Sequence, residues 1–286
     1  MFWIEHIVSG IAFGSLLFLI SSGLTLIFGL MGLLNLTHGA FYLLSAYLVI
    51  ELIGLGLHYW LATIGTIIVI AGLGMLIERV LLHRFVNQIL PQIVVTVGLA
   101  FIIGDLMLMR YGGHPMLPPR PPGLSGTIEI AGGFFPRMRL FMIFVALLVA
   151  LLLWLLMTHT RIGAMVRAAV DDEPMARSVG IPVSRLFVGV FGIGVALAAL
   201  AGVLGGAFSG LAPEVEFRML LLSVIVVVLG GLGSLKGAFV ASLVVGVGTQ
   251  LGIVVFPTFA QFALYVPVAL FLAFRPRGFF GKEGLA

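Results

Sequence analysis

Six histidines, His6, His38, His58, His83, His114 and His159, are the side chains best suited to metal chemistry in this chain. None stands at helical or finger spacing from a second ligand, and there is no cysteine. The expectation is therefore no metal site, no disulfide and no thiolate nucleophile. The run Gly230-Gly231-Leu232-Gly233-Ser234-Leu235-Lys236-Gly237 invites comparison with a phosphate-binding loop. Such a loop needs Gly-Lys-Ser/Thr entering a helix, whereas here Lys236 precedes Gly237 and no hydroxyl follows. No Gly-x-Ser-x-Gly elbow or acid–histidine pairing marks a nucleophile. The chain is expected to carry no catalytic residue, no cofactor and no ATP hydrolysis of its own.

Two other constellations remain. The first is polar and lies inside apolar sequence: Ser21, Ser22 and Thr25, then Asn35, Thr37 and His38 after a glycine-punctuated break. A helix interrupted within a membrane exposes backbone groups that only protein or a water-lined cavity can satisfy, and transporters use such breaks to present helix ends to cargo. Ser22, Thr25, Asn35, Thr37 and His38 are candidate translocation-path residues on that reading. On the other, Asn35 caps the next helix in a simple turn. Asn35-Leu36-Thr37 is formally a glycosylation sequon, without meaning at a span junction.

The second constellation is residues 158–186, which hold seven of the twenty-six acidic and basic residues. Helix formers run from Ala164 to Val170, and Pro174 disfavours helix at Glu173. Pro174 suits the first turn of a second helix capped by Asp172 or Glu173; Gly180 suits its end, and Pro182 prevents its continuation. A short helix, a bend and another short helix are predicted at the membrane surface. Such a pair serves either as an interfacial connector or as a docking surface. Asp171-Asp172-Glu173 favours a protein partner, because anionic headgroups would repel three carboxylates.

The elements that must position these groups follow from composition. Hydrophobic residues make up 61% of 286 and charged ones 9%, with a mean hydropathy of +1.26. A globular domain carries about a quarter charged residues, so the second apolar solvent is the lipid bilayer. The fold class expected is all-α and polytopic, a single transmembrane unit over 1–286 with eight or nine membrane helices and Gly-rich breaks. Spans are placed near 7–30, 38–57, 60–80, 93–109, 140–157, 187–210, 219–235, 238–256 and 259–274. The N-terminus lacks the basic region of a cleavable signal, so the first stretch is expected to stay. The net charge of +4 is spread between spans, with no basic stripe for nucleic acid.

Placing the C-terminus in the cytoplasm puts ten basic residues inside, among them Arg275, Arg277 and Lys282, and five outside: Arg110, Arg120, Arg137, Arg139 and Arg218. The Pro-rich residues 110–139 then form an outer loop or small cap, and 158–186 face the cytoplasm. Glu51 and Asp105 are expected to reach the interface from span ends. Gly202-x-x-x-Gly206-x-x-x-Gly210, Gly248-x-x-x-Gly252 and Gly10-x-x-x-Gly14 predict faces of close helix approach. Gly32 to Phe41 also aligns on Gly230 to Phe239 with five identities in ten. If that echo is structural, the repeat is parallel, and an inverted one would require a miscounted span.

Three stretches resemble the branched-chain amino acid ABC transporter permeases of the LivH type. They are Ser22-Gly23-Leu24-Thr25-Leu26-Ile27-Phe28-Gly29 continuing to Asn35-Leu36-Thr37-His38-Gly39-Ala40-Phe41; Thr160-Arg161-Ile162-Gly163 with Arg167-Ala168, Asp171-Asp172-Glu173, Ala176 and Gly180-Ile181; and Val227 to Gly237. The resemblance implies that the cytoplasmic segment is a coupling helix docking on an ATPase. Arg167, Asp171, Asp172, Glu173, Met175, Ala176, Gly180 and Ile181 are then the coupling residues. It further implies two cytoplasmic ATPase subunits, a second and often different permease, and a periplasmic protein delivering leucine, isoleucine or valine, all at a bacterial inner membrane. The same machine carrying urea, short amides or a sugar stays open. So do an ion-coupled transporter, for which Asp105 is the fair candidate, and a purely structural subunit.

Overall fold

The computed structural model describes residues 2–32, 35–85, 88–130, 132–212 and 214–281. Their helices are α1 (Phe2–Met31), α2 (His38–Gly54), α3 (Tyr59–Val80), α4 (Ile89–Tyr111), α5 (Arg137–His159), α6 (Arg161–Asp171), α7 (Glu173–Ser178), α8 (Val183–Ser209), α9 (Val215–Gly230), α10 (Leu235–Val255) and α11 (Ala260–Phe274). Between α4 and α5 a hairpin pairs β1 (Thr127–Ile130) with β2 (Gly133–Pro136), Thr127 opposite Pro136 and Ile130 opposite Gly133. The fold is polytopic and helical, as composition requires. Among the described residues α1, α3, α4, α5, α8 and α10 are long and apolar enough to cross a membrane by length and composition. α2, α9 and α11, with 17, 16 and 15 residues, fall short of the ~20 that a full crossing needs.

α1 is the centre of the bundle. It is apolar all round, and nearly every residue from Ser9 to Ile27 is buried, the mark of a helix enclosed by others. It packs on α10, α8, α5 and α9. Between α1 and α10 the approach is made by Gly10 and Gly14 against Gly246 and the backbone at Ser242 and Val247. Between α1 and α8, Gly23 lies on the carbonyl of Gly194. α8 in turn receives α2 through Gly202, where an added Cβ would run into the Tyr42 carbonyl and the Ser45 hydroxyl. In lipid, apolar area alone does not drive helices together, so these close backbone contacts carry the packing. Of the predicted faces, Gly10/Gly14 and Gly202/Gly206 are used; Gly248 has nothing against it.

The pattern of neighbours is an inverted one. α1 leads through a break into α2, and α8 through another into α9. α1 packs on α10 and α9, while α8 packs on α3 and α2, so each long helix holds the short helix that follows the other. This corrects the sequence echo between Gly32–Phe41 and Gly230–Phe239. Gly231 and Gly233, with φ of +99° and +77°, form a tight turn. That turn is covered by the C-terminal segment, whose Phe279 and Phe280 N–H groups donate to the carbonyls of Leu229 and Gly230 at 2.8 and 3.0 Å. The start of α2 has no such cover; its counterpart is the start of α9. The inversion costs no span, because α1 and α8 already run in opposite directions. Leu33, Leu34 and Lys282, used in those sequence readings, lie outside the described residues.

The two ends of the bundle are held differently. At one, the Pro-rich connection is clamped to the α8–α9 corner: Met116 and Leu211 exchange backbone hydrogen bonds of 2.9 and 2.8 Å, and Pro118 is buried against Gly206. Glu51 at the end of α2 accepts from Arg110 (3.3 Å) and from the Tyr111 hydroxyl (2.8 Å). At the other end lie α6, α7, the Gly231–Ser234 turn and the C-terminal segment. Replacing Gly202 by Val should cost about 1–3 kcal/mol in unfolding of the purified chain, because backbone on α2 cannot move aside. Gly72→Ala in α3, with open space around it, should leave the melting temperature unchanged or raised.

Candidate functional site

The break between α1 and α2 lies well inside the bundle. His38 opens α2 with its Nε2 2.9 Å from the carbonyl of Ile20. Ile20 is eleven residues from the end of α1, about 16 Å of helix. α2 is short because it begins at that depth. Asn35, Thr37 and His38 are all buried. Asn35 does not cap α2 with its side chain in the ordinary way: its Oδ1 accepts from the N–H of Thr37 at 3.1 Å, and Thr37 is the cap residue with no side-chain cap bond. The Thr37 hydroxyl instead crosses to α4 and donates to the carbonyl of Thr96 at 2.8 Å.

The second broken helix meets the first here. Gly39 packs against the Glu216 carbonyl and the Leu220 side chain, so the first turns of α2 and α9 abut while the helices run apart. α9 is entered through Glu214, whose φ of +66° is left-handed, a conformation that disfavours any residue with a Cβ. The Glu216 carboxylate is buried beside Gly104 of α4. Among the described residues Asn35 Nδ2, His38 Nδ1 and Glu216 Oε2 are buried without a hydrogen-bond partner. Such groups are costly unless something polar comes to meet them.

The five path candidates are not one constellation. Asn35, Thr37 and His38 stand together. Ser22 and Thr25 are buried on α1 but give their hydroxyls to their own helix, to Leu19 at 3.0 Å and Ser21 at 2.7 Å. Thr25 lines a separate cavity of about 710 Å³, shared with Arg167 and Asp171. Glu216 was missed by sequence reasoning, as was Glu78, fully buried in α3 with His83 Nδ1 at 3.6 Å. Each stands near a span end next to a basic residue, which reads as interface rather than interior. Glu51 is tied to Arg110, and Asp105 is exposed.

The segment between α5 and α8 folds as helix, bend, helix. Thr160 caps α6 by accepting from Gly163 N–H at 3.1 Å, and its hydroxyl donates to Leu156 at 2.6 Å. Gly163 lies on the last carbonyls of α5, where a Cβ would collide with Leu156 and Met157. The Arg167 guanidinium also donates to the Met157 carbonyl, so α6 closes the end of α5 and is fixed to it. Asp172 ends α6 and caps α7, accepting from Met175 N–H at 2.9 Å. Glu173 pairs with Arg177 at 2.7 Å. Gly180, φ +88°, ends the turn, and Ile181 N–H returns to Ala176 at 3.0 Å.

Of the eight coupling candidates only Ala176 is buried; Arg167, Asp171, Asp172, Met175 and Gly180 are exposed, and Glu173 and Ile181 partly so. Met175 and Val179 expose 59% and 69% of their surface beside the acidic elbow. Large apolar side chains set among charges on a helical turn fit a protein surface better than water. Asp172→Ala should remove the α7 cap at about 1 kcal/mol. Amide exchange at Met175 should then quicken about fivefold, with the membrane helices unaffected.

Residues 6–274 match the family model described as the permease component of the branched-chain amino acid transport system. The chain is 30% identical to the high-affinity branched-chain amino acid transport system permease protein BraD of Pseudomonas aeruginosa, over 98% of this chain and 96% of that one. It is 27% identical to the permease protein LivH of the corresponding Escherichia coli system, over 99% of this chain and 96% of LivH. To LivM, another permease protein so described in E. coli, it is 27% identical over 90% of this chain and 65% of LivM. No solved structure matches.

Proposed function

Because the chain belongs to the branched-chain amino acid transport system permease family, we propose that it forms the membrane path of an ATP-driven importer for leucine, isoleucine and valine. Two separate cytoplasmic ATPase subunits drive it, and a periplasmic binding protein delivers the cargo. A second, different permease completes the pair; the matches to both LivH and LivM support this. The membrane is the bacterial inner membrane, with α6, α7 and the C-terminus in the cytoplasm. The gathering of basic residues Arg161, Arg167, Arg177, Arg185 and Lys236 toward that end supports the orientation.

The observation that carries the coupling role is the exposed acidic elbow mounted rigidly on α5. ATPase closure pushes on Asp171, Asp172, Glu173 and Met175. The capped α6–α7 unit moves as one body, because Arg167 and Thr160 tie it to the end of α5. α6 also rests on α1, and α1 holds α2 through His38 and Ile20. A push at the elbow therefore reaches the meeting point of α2 and α9 through contiguous packed elements. The path runs there, by Asn35, Thr37, His38 and Glu216; Ser22 and Thr25, bonded to their own helix, are not assigned to it.

Uptake of radiolabelled leucine in cells lacking the gene, with and without a plasmid copy, tests the substrate. Rescue of ATP-dependent uptake is expected; unchanged uptake in the deletion strain would break the amino-acid assignment. Changing Asp171, Asp172 and Glu173 together to Ala should weaken ATPase docking by about 2 kcal/mol, roughly thirtyfold, and abolish uptake while the chain still inserts. Uptake and ATPase co-purification that both survive the triple change would refute the coupling role.

A further inference from the structure

The cavity beside Thr25 shares Arg167 and Asp171 with the coupling elbow but lies apart from Asn35, Thr37, His38 and Glu216. It lies between the second half of α1, the end of α5, one face of α6 and the start of α10. Its wall is apolar: Phe18, Leu26, Leu153, Trp154 and Phe239 line it. Arg167, Asp171 and Lys236 line it and are exposed, so they stand at the opening. Arg167 donates to the Met157 carbonyl, and Lys236 has no ion pair among the described residues.

The depth of the opening is set by Trp154. Its ring is 45% exposed and packs on His159 with centroids 5.0 Å apart. Tryptophan prefers the headgroup level of a bilayer. On the outward face of α5, Leu151, Leu152 and Leu155 are exposed next to it, so the apolar wall continues into the surface that meets acyl chains. An apolar cleft between membrane helices, open at headgroup level with basic side chains on its rim, has the form of a phospholipid site.

We propose that this cavity binds one anionic phospholipid. An acyl chain lies along Phe18, Leu26 and Phe239, and the phosphate meets Lys236 and Arg167. Asp171 opposes the second of these, leaving one net positive charge among the side chains lining the opening; Asp172, which caps α7, and Glu173, paired with Arg177, do not line it. One such charge gives an anionic headgroup about a fivefold advantage over a zwitterionic one. Val166 and Val170 of α6 form part of the wall, so the lipid wedges the coupling helix against α1 and α10. Its presence sets the seat of α6 independently of which cargo is carried, and the test below does not depend on transport.

Photocrosslinking the full chain tests this. Val240 lines the cavity and is exposed, and benzoylphenylalanine placed there reports the occupant by adduct mass. In vesicles of equal phosphatidylglycerol and phosphatidylcholine, about fivefold more phosphatidylglycerol adduct is expected. Lys236→Gln should bring the two adducts to near parity, and Lys236→Arg should restore the preference, which a merely misfolded variant would not do. Equal adducts in the parent chain overturn the proposal. A preference untouched by Lys236→Gln overturns it too. Irradiation in native membranes that yields a polypeptide crosslink in place of lipid assigns the cavity to a protein contact, and likewise overturns it.

Discussion

A helix that stops inside hydrocarbon leaves backbone groups that lipid cannot satisfy. The same holds for a helix that begins there: α2 and α9 each start within the bundle, and the bundle is arranged around that constraint. α2 and α9 begin where protein surrounds them, and their first turns meet at Gly39 and Glu216. That placement requires a central helix long enough to screen both, which is α1, and a second long helix behind them, which is α8. The inverted pairing of α1–α2 with α8–α9 is the economical solution, since one wrapped pair supplies what the other needs. Glycine at position 39 follows directly: any side chain there would separate the two helix starts.

Glycine also sets how close everything else lies. The α1–α10 and α2–α8 contacts bring backbone against backbone, where a methyl group would not fit. Such contacts have two states, engaged or apart, with little between, because a packed interface does not deform smoothly. Displacing one of these helices therefore breaks a whole contact rather than stretching it. The peripheral helices differ: α3, α4, α5 and α11 turn large apolar side chains outward, and these faces are free to meet lipid or another subunit without disturbing the centre.

The positions of the helices and the shape of the α6–α7 elbow were legible in the sequence, since both rest on local chemistry. Hydropathy marks apolar runs; Thr160, Asp172 and Gly180 announce caps and turns within a few residues of themselves. The depth of the α2 start was not legible. It depends on His38 reaching Ile20, eighteen residues away, and on α9 arriving from the far half of the chain. The same applies to Glu216 and Glu78, whose burial is created by neighbours remote in sequence. The echo of Gly32–Phe41 in Gly230–Phe239 misled because glycine, alanine and leucine recur wherever helices turn or touch. The real correspondence, between the starts of α2 and α9, is one of place in the fold; the sequences leading to them share only an opening Gly-Leu, Gly32-Leu33 and Gly210-Leu211, too common a pair in this chain to read.

The elbow and the break make opposite demands on the chain. The elbow is stiff yet accessible, although α6 and α7 are helices too short to stand alone. Thr160, Arg167 and Asp172 supply the missing rigidity from their side chains, leaving Met175, Val179 and the carboxylates exposed. The break is enclosed, and among the described residues it keeps buried polar atoms without partners at Asn35, His38 and Glu216. Those unmet groups make this packing less stable than it would be with apolar residues in their place. The stiff surface elbow and the polar interior are physically linked, because α1 touches both α6 and α2.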